Sequence, residues 1–341
     1  MRQKITYLLI SFFLILACSA PNKKSSNRDY QLALPAHFPA PNIPANNPLK
    51  QEAIILGKKL FFDPILSRDS SIACNSCHLP ELAFSDSVAI SLGVGGNLGF
   101  RNAPTLMNLA WLEVVHKDGG VRKLDIQAMT PIEDEFEMDI SILKVAKRLN
   151  QQPTYVALAQ KAYQRPLDAF VITRALASYL RTLISTNSKY DQYIEGDSMA
   201  LSEAAISGKQ LFFSSKTNCS SCHTGFNFTN NQFENNGLYK EFNDNGRERI
   251  TLQPEDNGKF RVPTLRNIEL TAPYMHDGSL KNIEAVIAHY NSGGKNHPNQ
   301  NDLIKPLSLT PTEKQDLIAF LKSLTDTTFS GKETIGSHSY Q

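Results

Sequence analysis

One five-residue pattern, Cys-x-x-Cys-His, occurs twice in this chain, each time behind the same lead. Gly57-Lys58-Lys59-Leu60-Phe61-Phe62 precedes Cys74-Asn75-Ser76-Cys77-His78, and Gly208-Lys209-Gln210-Leu211-Phe212-Phe213 precedes Cys219-Ser220-Ser221-Cys222-His223. Such a pentad is the attachment site of a c-type haem, because the two thiols add to the porphyrin vinyls and the adjacent imidazole reaches the iron. A lone Cys-x-x-Cys pair could also bind zinc or act as a redox dithiol. Here the whole unit is duplicated, and a four-cysteine zinc site would leave His78 and His223 without a role. The sequence therefore predicts two covalent haems, held by Cys74, Cys77 and His78 in the first unit and by Cys219, Cys222 and His223 in the second.

The length of 341 residues, with 41% hydrophobic residues, suits about two domains with two cores. The formal net charge of +2 points to no nucleic-acid partner. The fifth cysteine, Cys18, closes an N-terminal segment in which Arg2 and Lys4 precede the apolar run from Ile5 to Leu16. That run is short for a membrane span and reads as a secretory signal. Its end, Ile15-Leu16-Ala17-Cys18, resembles a bacterial lipobox, with Leu16 bulkier than usual; an ordinary signal cut elsewhere is the alternative. The lipobox makes Cys18 the lipidated first residue of a periplasmic lipoprotein, with contact to a membrane only through that anchor. Residues 1–18 are then the signal peptide. Residues 19–48 are a polar tether and proline-rich lead-in, with the folded body starting near Leu49.

Apolar spacing predicts a helix from Ala53 to Phe62, halted by Asp63-Pro64, and others over Ser141 to Leu149, residues 168–184, 202–213 and about 281–290. Thr310, Pro311 and Glu313 form a capping-box start for a last helix with Leu317, Phe320, Leu321 and Leu324 on its buried stripe. Residues 79–120 and 224–261 read as loops, the first as a wall around a cofactor. The class is mainly α: two cytochrome c-like haem domains with long loops. The N-terminal domain covers 49–195, the C-terminal domain 196–326 and a tail 327–341, with Glu195-Gly196-Asp197-Ser198 as the linker.

Over roughly residues 50–325 the chain resembles the bacterial di-haem cytochrome c peroxidases, and within them the MauG type. The resemblance is carried by Leu56 to Pro64, both pentads, Arg101-Asn102-Ala103-Pro104-Thr105, Gln127 to Glu137, and Val262 to Asn267 running into Leu270 to Gly278. It implies two facing cytochrome domains with a calcium ion between them. The calcium would be held by the side chain of Asn102 and the carbonyls of Thr271 and Pro273, oxygen donors that suit a hard cation. It also implies peroxide binding at the iron of His78 and electron relay through the iron of His223. Glu137 would be the distal acid/base, with Gln127 and Pro131 lining its pocket. Read from the residues alone, Glu137 is a surface carboxylate in the acidic run Glu133-Asp134-Glu135-Phe136-Glu137.

Three positions depart from the common peroxidase pattern. Val94 stands where many relatives have a histidine that blocks the resting iron, so the first haem should be open. Tyr290 stands fourteen residues after His276, where the peroxidases place a methionine ligand; tyrosine there is the MauG pattern, and Met275 is the alternative ligand. Lys117 precedes Asp118-Gly119 where the family has a bridging tryptophan, and a lysine cannot relay a hole. The sole tryptophan, Trp111, lies six residues earlier. His37, His116, His297 and His338 read as surface or structural histidines, with an approach to the first haem left open for His116.

The expected activity is reduction of hydrogen peroxide with electrons from a small redox protein, cytochrome c or a cupredoxin, by a monomer or homodimer. A MauG-type oxidase that uses a high-valent di-haem state to modify a protein substrate is the alternative. A third reading is a pure di-haem electron carrier, which would need both irons six-coordinate.

Overall fold

The repeated Gly-Lys-x-Leu-Phe-Phe lead forms a helix in both halves, and in both the glycine is where a second helix crosses. In the computed structural model, which describes residues 28–328, α1 is Gln51–Phe61 and α6 is Glu203–Phe212. Between them, besides shorter helical turns, lie α2 (Ile142–Leu149), α3 (Pro153–Tyr163), α4 (Ala169–Leu180) and α5 (Lys189–Ile194). After α6 come α7 (Ile283–Ser292) and α8 (Pro311–Lys322). The bundle of α1 with α3 and α4 makes the first core, and α6 packed on α8 makes the second. A Cβ on Gly57 would lie 1.9 Å from the carbonyl oxygen of Ala175 in α4, and one on Gly208 would lie 1.8 Å from that of Asp316 in α8. Only glycine lets the backbones approach so closely.

Each lead ends in an aromatic cluster. Phe61 meets Phe84 and Tyr179 at centroid distances of 5.7 and 5.3 Å, and Phe212 meets Phe228 and Phe320 at 6.0 and 5.1 Å. Such edge-on pairs stabilise beyond their buried area. The cap at Thr310 is formed as expected, its hydroxyl accepting from the Glu313 amide while the Glu313 carboxylate accepts from that of Thr310. Among the described residues the sheet is a two-residue antiparallel pair, β1 (Phe233–Glu234) with β2 (Phe260–Arg261), so the fold is mainly helical with long loops.

Three details differ from the sequence reading. α3 and α5 were not anticipated: α5 is short, and α3 buries only Tyr155, Ala159 and Ala162, too sparse a stripe to stand out. In the helix predicted over 168–184, the apolar Phe170 is exposed and lies under the Arg174 guanidinium at 3.7 Å. Packing also begins before Leu49. The Tyr30 amide donates to the Leu49 carbonyl, and buried Phe38 sits between Trp111 and Phe226 at 5.6 and 4.7 Å. The lead-in thereby touches both halves, and His37 beside it reaches Asp191 at 3.1 Å.

The halves also meet through buried polar contacts. Arg266 grips Asp191 with two 2.8 Å hydrogen bonds; burial alone would raise that carboxyl's pKa, but the guanidinium outweighs it and holds it low. Two turns of related sequence, Pro104-Thr105-Leu106-Met107-Asn108 and Pro263-Thr264-Leu265-Arg266-Asn267, place left-handed Asn108 and Asn267 on either side of Ser185, each within hydrogen-bonding distance of it. Residues 1–27 and 329–341, with Cys18 and His338, lie outside the described residues.

Candidate active site

Each pentad opens on its own cavity. Cys74, Cys77 and His78 line one of about 670 Å³, and Cys219, Cys222 and His223 one of about 300 Å³, both within the range of ordinary cofactor sites. No disulfide joins these four cysteines, and burial raises the thiol pKa of each, that of Cys74 to about 12. The two histidines are oriented identically. Nδ1 of His78 lies 2.9 Å from the carbonyl of Phe84, and Nδ1 of His223 lies 3.1 Å from that of Phe228. A carbonyl can only accept, so Nδ1 carries the proton and Nε2 keeps its lone pair for a metal, an arrangement usual for iron and zinc ligands. Burial lowers both imidazole pKa values, which favours the neutral, ligating form. Both acceptors, Phe84 and Phe228, have positive φ of 56° and 51°, so the second half repeats the backbone shape of the first.

Among the described residues no three His, Cys, Asp or Glu side chains converge as a metal-ion site. Cavity-lining thiols with one imidazole beside them, and no further ligand cluster, fit a covalently attached haem in each half.

The first cavity collects Gln127, Pro131 and Glu137 with His78. The chain brings them together by two short helical turns, Leu124–Gln127 and Met129–Glu133, followed by a reversal. In that reversal Glu137 donates its amide to Asp134 at 3.1 Å, and Met138 returns to the carbonyl of Pro131 at 3.1 Å. Glu133 lines the same cavity and also caps α2, accepting from the Ile142 amide at 2.9 Å. Glu137 is exposed, but it is a cavity-wall residue with protein packed behind it. Burial first, and the charge of Asp134 second, raise its carboxyl to about 7. A carboxyl in that range exchanges protons readily at neutral pH.

Val94 is fully buried, and its amide donates 2.8 Å to the carbonyl of Glu137. The adjoining glycine permits this contact, since a Cβ on Gly93 would lie 2.0 Å from the Phe136 carbonyl oxygen. The loop that could have carried a blocking histidine is instead fastened to the loop that carries the carboxyl.

The second cavity contains both candidate ligands, Tyr290 near the end of α7 and Met275, together with His276. Asn236 stands beside both: its amide donates to the Met275 sulfur at 3.2 Å and it also hydrogen-bonds Tyr290. Burial pushes the Tyr290 phenol up to about 12. Asn102, Thr271 and Pro273 share the wall of this cavity, and the Asn102 amide donates 2.8 Å to the carbonyl of His276.

His116, whose approach to the first haem the sequence left open, lines the first cavity, with Nε2 3.4 Å from the Gln127 amide; among the described residues His37 and His297 do not line it. His297 is buried between Asn235 and Asn257. Lys117 and Arg261 line both cavities. No local pattern marks Arg261, because a segment distant in sequence brings it to the first cavity.

Comparison with known proteins agrees with this geometry. Residues 51–199 match the family described as di-haem cytochrome c peroxidase, and residues 205–325 match cytochrome c. The methylamine utilization protein MauG of Methylorubrum extorquens is 36% identical over 92% of this chain and 90% of its own length. The cytochrome c551 peroxidase of Pseudomonas aeruginosa is 33% identical over 84% of this chain and 81% of its own. A solved MauG-like protein associated with microbial copper homeostasis superposes with a TM-score of 0.85 at 32% identity, covering 89% of this chain and 98% of that one.

Proposed function

Since this chain belongs to the family of di-haem cytochrome c peroxidases and MauG proteins, an oxidoreductase family with haem c in both cytochrome domains, we propose that it reduces hydrogen peroxide to water with electrons from a small redox protein, cytochrome c or a cupredoxin. The observation that carries this reading is Glu137: a carboxyl at about 7 on the wall of the cavity that His78 lines, beside a loop whose residue 94 has no ligating atom.

A haem held here would supply redox-active iron able to pass electrons to peroxide one at a time. Glu137 then takes a proton from one peroxide oxygen and gives it to the other, which leaves as water. Two electrons and two further protons complete the conversion of one peroxide to two waters. Gln127, held near His116, orients the peroxide by its amide, and Pro131 keeps that wall apolar. His78 and His223 hold the irons by Nε2, with Phe84 and Phe228 fixing the rings.

Tyr290 is proposed as the second ligand of the other iron, in place of Met275. Asn102, Thr271 and Pro273 are proposed to hold a calcium ion. Export to the periplasm with a lipid on Cys18 follows from the N-terminal sequence, and among the described residues no helix is long and apolar enough to cross a membrane.

The test is electron paramagnetic resonance of the oxidised holoprotein, followed by steady-state turnover with peroxide and reduced cytochrome c or cupredoxin. One high-spin and one low-spin ferric signal with rapid turnover are expected. Two low-spin signals without turnover would leave a di-haem electron carrier. Tyr290 and Val94 favour a second reading, a MauG-type oxidase of a protein side chain. Its mark is slow turnover with the donor and peroxide-driven modification of a partner protein.

A further inference from the structure

Lys117 and Arg261 stand on the wall between the two cavities and line both. β2 brings them together: the Arg261 amide donates 2.7 Å to the Lys117 carbonyl. Their charged ends find only neutral partners at long range. Nζ of Lys117 lies 3.4 Å from the carbonyl of Met275, and Nε of Arg261 lies 3.4 Å from that of His116.

The nearby carboxylates are engaged elsewhere. Arg101 takes Asp244 through two nitrogens at 2.5 and 2.9 Å, and Asp118 through a third at 2.7 Å. Asp277 accepts from the Tyr239 hydroxyl at 2.6 Å. Neither Lys117 nor Arg261 forms an ion pair among the described residues, although both are half-buried. Burial, and for Lys117 the neighbouring guanidinium, depress the lysine to about 8 and the arginine to about 10. Two half-buried cations side by side on the cavity walls, each lacking an anion, form a site that an anion would neutralise.

The cavities on either side are those assigned to haem, and a haem brings two propionate carboxylates. We propose that Lys117 and Arg261 form a shared anion clamp that receives a haem propionate from each cavity, fastening the facing edges of the two haems and setting their potentials together. Lysine thus contributes a fixed positive charge where the family has an oxidisable ring. That charge favours the reduced form of both irons.

The inference rests on the two haems and is tested without peroxide, so its failure leaves the proposed activity untouched. The experiment is a spectroelectrochemical titration of both haems in the Lys117→Gln holoprotein, with resonance Raman spectra of the propionate bending modes. A unit charge on the order of 10 Å from an iron, at an effective dielectric of about 20, changes the ferric-to-ferrous ratio roughly tenfold. For a one-electron couple that is a fall of about 59 mV. Both potentials should fall by that order, the propionate modes of both haems should shift, and Lys117→Arg should retain wild-type values. If Lys117→Gln does not load haem, Arg261→Gln takes its place with the same expectation. A change confined to one haem, or to neither, overturns the shared clamp.

Discussion

Replacing Glu137 by Gln keeps the shape of the side chain and removes its capacity to accept a proton. With its carboxyl raised to about 7, about half of Glu137 is ionised at neutral pH; at the ordinary value of 4.5 only roughly one molecule in three hundred would hold the proton. The group can therefore serve as acceptor and donor within one cycle. General acid–base catalysis contributes on the order of 10²- to 10⁴-fold. Glu137→Gln should accordingly slow the second-order reaction with peroxide by that factor, about 3 to 5 kcal/mol of barrier, while haem content is unchanged. The assay is stopped-flow absorbance of the oxidised holoprotein against peroxide across pH.

The sign of the pH dependence follows from which form acts. The ionised carboxyl takes the first proton, so the wild-type rate should rise as pH rises through about 7 and level off above it. Asp134→Asn removes the like charge that is the second cause of the shift, so the inflection should move to lower pH with the limiting rate retained. Wild-type rates in a fully haem-loaded Glu137→Gln protein would refute the assignment, as would an inflection that neither substitution alters.

Tyr290→Phe should change the optical and paramagnetic signature of the second haem and leave the first alone, and Met275→Leu should do neither; the reverse result would make Met275 the ligand. Gly208→Ala would drive a Cβ to 1.8 Å from the Asp316 carbonyl oxygen, so α6 and α8 must separate. A loss on the order of 3 kcal/mol in denaturant unfolding of the holoprotein is expected, and a loss below about 1 kcal/mol would mean the helices do not cross there as closely as described.

The two haem sites were legible because their chemistry is local. Two thiols and an imidazole within five residues define the attachment whatever the rest of the chain does, and the duplicated lead announces a duplicated helix. The helix start at Thr310 was readable for the same reason, since capping joins residues three apart. The role of Glu137 was legible only through the family resemblance, because the acidic run around it reads by itself as solvated surface; the reversal from Pro131 to Met138 lays that run, Glu133, Asp134, Glu135 and Glu137, along the cavity wall, and Glu133 also caps a helix.

What the sequence determined by itself is the number of haems, their attachment and a mainly helical frame, since covalent and near-neighbour patterns survive any arrangement of the chain. What only the tertiary structure decided is which charges are left over. Lys117 is marked in the sequence only as a missing tryptophan and Arg261 not at all, and they become a half-buried, unpaired couple between two cavities only because long loops from both halves carry Asp244 to Arg101 and Asp277 to Tyr239. Pairing of charges depends on distance in space, and that is fixed by packing.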